Sequence, residues 1–128
     1  MKRRIALTAA LLLGTVMPGH ADAGSGRCAQ YESLLRTYAP RGGWNVAKMS
    51  RTMHRESRCT PWVRSRTQDS GLLQINDVNL AYLTSKMGRP ITSAALMDPT
   101  TNVQAAALLC QFSKRAFGTC YRPWRGGA

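Results

Sequence analysis

Four cysteines, Cys28, Cys59, Cys110 and Cys120, span the chain behind an N-terminus that reads as an export leader. Lys2, Arg3 and Arg4 form a positive start, and Ile5 to Val16 form an apolar stretch. Pro18 breaks any helix, and Ala21-Asp22-Ala23 is a small-x-small cleavage site. The apolar stretch falls short of the roughly 20 residues that a transmembrane helix needs. Residues 1–23 are therefore expected to be removed, with no stable membrane span after processing. In a small exported domain an even number of cysteines implies disulfides. No two stand at Cys-x-x-Cys spacing, and His54 is the only histidine beyond the leader, so no zinc site is expected. The pairing stays open. Nested bonds, Cys28–Cys120 with Cys59–Cys110, would close the longer loops, and local bonds, Cys28–Cys59 with Cys110–Cys120, are equally compatible.

Residues 24–128 make a stretch of 105, enough for one domain with a single core, expected to act as a monomer. The whole chain carries +12; without Lys2, Arg3, Arg4 and Asp22 it carries +10. Only Glu32, Glu56, Asp69, Asp77 and Asp98 are acidic there. Such an imbalance draws a protein to polyanions. Export argues against nucleic acid, and the basic residues lack the aromatic interleaving of single-strand binders. Anionic cell-wall polymers or acidic lipid remain.

Helical patterning dominates. Tyr31, Leu34, Leu35 and Tyr38 mark a first amphipathic helix, with Pro40, Gly42 and Gly43 expected to end it. A second helix is expected from about Trp44 to Arg58, with Val46, Met49 and Met53 on one face. Cys59 to Gly71 is too polar and irregular for a helix and reads as a long loop or small β region, followed by a short buried Gly71-Leu72-Leu73-Gln74-Ile75. Leu80, Leu83 and Met87 carry a third helix, stopped by Gly88 and Pro90. The last is best signalled: Asp98 as N-cap, Pro99 in the first position, a buried stripe of Val103, Ala106, Ala107 and Cys110, and Gly118 as the close. The fold class is mainly α, with one loop-rich or short β insertion.

Glu56 lies seven residues beyond Met49 and three beyond Met53, which places it on the apolar face of the second helix. No basic residue stands three or four positions away, and the helical wheel assigns Arg55 and Arg58 to the water side. A carboxyl dried against methionine is raised toward the range of a general acid. A core-edge glutamate bonded to loop backbone fits the same periodicity. Asp69 is the next carboxylate along, and two carboxyls around a cleft suit glycosidic cleavage. Asp69-Ser70-Gly71 reads equally as a turn.

Glu56-Ser57, Pro61, Ser65 and Gly71-Leu72-Leu73-Gln74-Ile75 together resemble the catalytic region of SLT-type lytic transglycosylases and goose-type lysozymes, with the same glutamate-to-glycine spacing. Asp98-Pro99-Thr100-Thr101-Asn102-Val103 resembles a second block of that group, and the likeness runs from about Trp44 to Leu109. Gln68-Asp69 departs from the group's Gly-Ala, and its Ala-Tyr-Asn-Ala-Gly segment has no counterpart. Asp69 to Asn76 instead resembles the Asp-x-Gly-Ile-Leu-Gln-Ile-Asn run of animal-type lysozymes, whose aspartate is the second catalytic carboxylate.

The resemblance implies an α+β lysozyme-like domain with a sugar-binding cleft, and an enzyme of the secreted, periplasmic or wall compartment that cuts peptidoglycan glycan strands. Glu56 would protonate the linkage between N-acetylmuramic acid and N-acetylglucosamine, with Asp69 stabilising the cation if it faces the cleft. Ser65 and Gln74 would meet the saccharide, or else tie the loop together. Trp62 and Tyr82 would stack on sugar rings or serve the core. Hydrolysis and anhydro-forming transfer are both open, and no cofactor is expected for either. The other functional class is a non-enzymatic cationic protein that binds walls or membranes with an unused cleft.

Overall fold

The computed structural model describes residues 23–124; the leader reading falls on residues almost all outside that range. A 3₁₀ segment, Ala23–Tyr31, leads into helix α1, Glu32–Gly42, and then α2, Val46–Ser57. A two-residue hairpin follows, β1 at Asp69–Ser70 and β2 at Ile75–Asn76. Helix α3 covers Leu80–Met87, and α4 covers Pro99–Phe117. Short 3₁₀ turns stand at Asp77–Asn79, Ala95–Met97 and Arg122–Trp124. The fold is mainly helical, as expected.

Two helix boundaries differ from expectation. Pro40 does not end α1 but sits in its last turn, and the stop is Gly43, whose φ of 74° lets its N–H reach Ala39 O at 2.7 Å. Trp44 lies ahead of α2 because Asn45 is the N-cap, its side chain accepting from Lys48 N at 2.9 Å. Trp44 instead inserts into the core and donates Nε1–H to Leu35 O at 3.0 Å. Helices α3 and α4 end at Gly88 and Gly118 in left-handed geometry, and Asp98 caps α4 as its sequence signals promised.

Helix α4 is the centre of the molecule. Ala105, Ala106 and Ala107 are all buried, and consecutive helical residues point about 100° apart. More than half of its circumference is thus covered, wider than the stripe that Val103, Ala106, Ala107 and Cys110 define alone. Alanine keeps that surface slim, so α1 packs closely on it while Leu72, Leu73, Leu83 and Leu96 fill the rest of the core. The disulfides follow the local pattern, Cys28–Cys59 and Cys110–Cys120. The first ties the leading 3₁₀ segment to the end of α2. The second folds the C-terminal segment back from the end of α4.

One buried side chain joins the hairpin to α4. Asn102 accepts from Leu73 N at 2.9 Å and donates to Ser70 O at 3.0 Å and Leu96 O at 2.9 Å. Gly71, with φ of 79°, passes so close that a Cβ there would collide with Leu96 O and the Asn102 amide. Replacing Asn102 with alanine leaves three buried backbone groups unpaired and should cost about 3 kcal/mol or more, measured by chemical denaturation. Asn102→Asp should cost more, because an oxygen then faces two carbonyls. Breaking the Cys110–Cys120 bond by a double serine substitution should cost about 2–3 kcal/mol, and breaking Cys28–Cys59 about 1 kcal/mol more, since loop-closure entropy grows with the 10 or 31 residues enclosed.

Candidate active site

Glu56 occupies the last turn of α2, which ends when Arg58 turns left-handed at φ 52° and donates its N–H to His54 O at 2.8 Å. Its side chain is 25% exposed, neither dry nor open to water. Arg55, expected on the water side, folds back along the helix instead. Its Nη2 and Nε donate to the same carboxylate oxygen, Glu56 Oε1, at 3.0 and 3.2 Å. A helical wheel reports where Cα–Cβ points, and a flexible guanidinium can still reach the neighbouring residue. Among the described residues no hydrogen bond reaches Oε2, so the arrangement is not the two-oxygen clamp of a bidentate pair. Arg55 Nη2 also donates to Trp124 O at 3.1 Å, which fastens the end of α2 to the C-terminal segment.

The chain from Pro61 to Asn76 forms a braced hairpin. Arg64 pairs with both oxygens of Asp77 at 3.1 and 2.8 Å and donates to Ser70 Oγ at 2.7 Å. Asp69 pairs with Asn76 across the strands, and Ser70 with Ile75. Between them Gln74, at φ 46°, turns its Nε2 onto Val63 O and Gly71 O at 3.0 and 2.9 Å. Its Oε1 takes no hydrogen bond among the described residues, and no buried side-chain oxygen or nitrogen there lacks a partner. That oxygen therefore remains accessible.

Asp69 is both the first residue of β1 and a groove carboxylate. Ser65 Oγ and Thr67 Oγ1 donate to its Oδ2 at 2.8 and 2.5 Å, and Asn76 Nδ2 donates to Oδ1 at 2.9 Å. Partial burial pushes the carboxyl up, but the Thr67, Asn76 and Ser65 hydrogen bonds together outweigh it and hold Asp69 below the usual aspartate range. Ser65 also accepts from Asp69 N at 3.1 Å, so its hydroxyl serves Asp69 from both sides.

Asp69, Gln74 and Asn76 form the polar side of a groove of about 330 Å³. Val78, Leu109, Phe112 and Phe117 supply its apolar side, and Arg122 and Trp124 close it from the C-terminal segment. Val78, Phe112 and Phe117 are 84%, 49% and 50% exposed, an uncommon concentration of apolar surface at one rim. The Arg122 guanidinium lies over the Phe117 ring, 3.9 Å from its centroid. Glu56 does not line this groove; it is joined to the wall through Arg55 and Trp124. Tyr82 stands behind the rim, its ring edge-on to Phe112 with centroids 5.6 Å apart. Trp62 is 73% exposed and does not serve the core.

Phe112, Phe117, Arg122 and Trp124 were invisible as site residues in the sequence. The Cys110–Cys120 bond is what returns the last of them to the groove, and the odd aromatic-basic run Tyr121-Arg122-Pro123-Trp124 was the signal on offer.

A depressed carboxyl stabilises the fold while ionised. The unfolded chain takes up its proton first, so that contribution is complete above about pH 4 and declines as pH falls through the lower folded value. Carbon-13 NMR titration should find Asp69 still charged below pH 4, and Asn76→Ala should bring its midpoint upward.

Residues 36–124 match the family model described as the transglycosylase SLT domain. No curated protein matches the chain. Because the match takes in α2 with Glu56, the braced hairpin and the C-terminal wall at Trp124, the chain belongs to the transglycosylase SLT domain family, whose members are glycosidase-type enzymes that cleave peptidoglycan.

Proposed function

We propose that the protein is exported and cleaves peptidoglycan strands between N-acetylmuramic acid and N-acetylglucosamine, with Glu56 as the general acid. The observation that carries this reading is the unequal hydrogen bonding of the two carboxylates. Among the described residues Glu56 takes hydrogen bonds on one oxygen alone and is joined to the groove wall through Arg55 and Trp124, whereas Asp69 has both oxygens engaged and lines the groove. Glu56, protonated at Oε2, would give that proton to the glycosidic oxygen as the bond to C1 breaks. Asp69, ionised, would offset the positive charge that develops on the sugar ring. The Glu56 carboxylate would then accept a proton from the attacking hydroxyl. If that hydroxyl belongs to the muramic acid itself, the product is a 1,6-anhydro sugar; if it is water, the product has a reducing end.

The remaining groove residues fit the same substrate. Gln74 Oε1 is an acceptor for a sugar hydroxyl or N-acetyl N–H, and Ser65 acts by positioning Asp69. Phe112 and Phe117 offer flat apolar surface to pyranose faces, with Tyr82 bracing Phe112. Both disulfides suit a compartment outside the cytoplasm, and no helix among the described residues is long and apolar enough to cross a membrane.

Glu56→Gln should lower the release of soluble fragments from purified peptidoglycan by about 10²–10⁴-fold while leaving binding to the wall intact. Clearing that survives this substitution would instead favour a non-enzymatic cationic wall binder. Mass spectrometry of the released fragments separates the two chemistries, since anhydro and reducing ends differ by one water.

A further inference from the structure

Arg122 places a positive charge in the wall of the groove, and the acid–base chemistry proposed above makes no use of it. Its neighbours in the chain are anchored. The Tyr121 hydroxyl accepts from Asn45 N at 2.9 Å, and Lys48 Nζ lies 4.1 Å from the centre of the Tyr121 ring. Trp124 is buried and donates Nε1–H to Leu73 O at 2.7 Å. The Cys110–Cys120 bond holds the segment that leads into them. Arg122, partly buried between these ties, therefore reaches the groove from a fixed backbone. Holding so long a side chain costs rotamer freedom, and an arginine that served only solubility would have no reason to lose it.

The charged head is placed as well. At 3.9 Å from the Phe117 centroid the guanidinium carbon is at stacking distance, which leaves the N–H edge of the fork open. Among the described residues no hydrogen bond or ion pair engages that edge. A planar fork of N–H donors, steadied by a ring and facing a groove, matches the two oxygens of a carboxylate.

Peptidoglycan supplies that group at one of its two sugars. N-acetylglucosamine is uncharged. N-acetylmuramic acid bears a lactyl ether that ends in a carboxylate or, through an amide, in a peptide stem with carboxylates of its own. We propose that Arg122 binds the carboxylate borne by N-acetylmuramic acid, on its lactyl group or its stem, and makes the groove selective for strands that carry it. This rests on the peptidoglycan-cleaving reading above and names the part of the substrate that the groove reads. Asp69, elsewhere in the same groove, repels the same substituent. The two charges together favour one placement of the strand, with the substituent toward Arg122 and away from Asp69.

The test is calorimetric binding by the full chain carrying Glu56→Gln, which keeps the strands whole. Its ligands are soluble glycan fragments in three forms: with peptide stems, with the lactyl carboxylates freed by an amidase, and with those carboxylates converted to primary amides. At least one carboxylate-bearing form should bind about tenfold or more tightly than the amide form, and Arg122→Gln should remove that preference. Tight binding of the freed form identifies the lactyl carboxylate as the ligand; tight binding of the stem-bearing form alone identifies the stem. Arg115→Gln, on the exposed surface near the end of α4, controls for the general attraction of a basic protein and should keep the preference. Should Arg122→Gln disturb folding by circular dichroism, Arg122→Met, which keeps an aliphatic cover on Phe117, replaces it. Equal binding of all three forms overturns the proposal, and so does an Arg115→Gln loss as large as that of Arg122→Gln. A chain that shows the preference but, with Glu56 in place, releases no fragments from peptidoglycan would sink the catalytic reading and leave the carboxylate site standing.

Discussion

The geometry of the site depends on Asn102. A hairpin of two-residue strands cannot hold its own shape, because so short a ladder gives few hydrogen bonds for the backbone entropy it costs. Asn102 supplies the missing constraint from the most buried helix of the protein, gripping Ser70 and Leu73 on either side of the turn and Leu96 beyond it. Three of its four hydrogen-bonding positions are filled, all by main chain. Only a residue with both donor and acceptor at the end of a short side chain can do this. Only glycine at position 71 lets the two segments come together. From that junction the strand directions follow, and with them the placement of Asp69 and Gln74 at the groove.

The same economy of main-chain ties explains why the groove has a rigid polar side and a looser apolar one. Asp69, Ser65, Thr67 and Asn76 form a closed set of hydrogen bonds, and Gln74 is pinned by two more. Across from them Phe112 and Phe117 are half exposed, and Arg122 and Tyr82 steady their rings. A polymer of pyranose rings needs both: fixed polar groups to set register, and a tolerant hydrophobic face to slide along.

What could be read from the sequence was what local chemistry specifies. Helix α4 was legible end to end, because Asp98, Pro99 and Gly118 act on their own neighbours. Helix α1 was misread only at Pro40, which the last turn accommodates; the stop comes from the left-handed Gly43 that follows. The disulfide pairing was undetermined, since both patterns satisfy the same spacing and only the packed chain selects one. Asp69 was read as either turn or site residue and is a strand residue that also lines the groove. Gln74 was read as either loop tie or groove residue; its nitrogen ties the loop while its oxygen stays accessible. Arg55 and Trp124 could not have been anticipated together, because their contact spans 69 residues and forms only in the packed chain.

Glu56 and Asp69 differ because their supports differ in number and kind. Asp69 receives three side-chain hydrogen bonds from uncharged groups, which keep it ionised without an ion pair and leave its charge directed at whatever enters the groove. Glu56 receives one guanidinium on one oxygen, and that guanidinium also holds the C-terminal wall. Movement of Arg55 would therefore alter the carboxyl and the groove wall together, so the proposed proton donor and the shape of the cleft are mechanically coupled. A single acid placed on open helix surface would have no such link to its substrate. Here the arginine that seemed to crowd the glutamate is what connects it to the rest of the site.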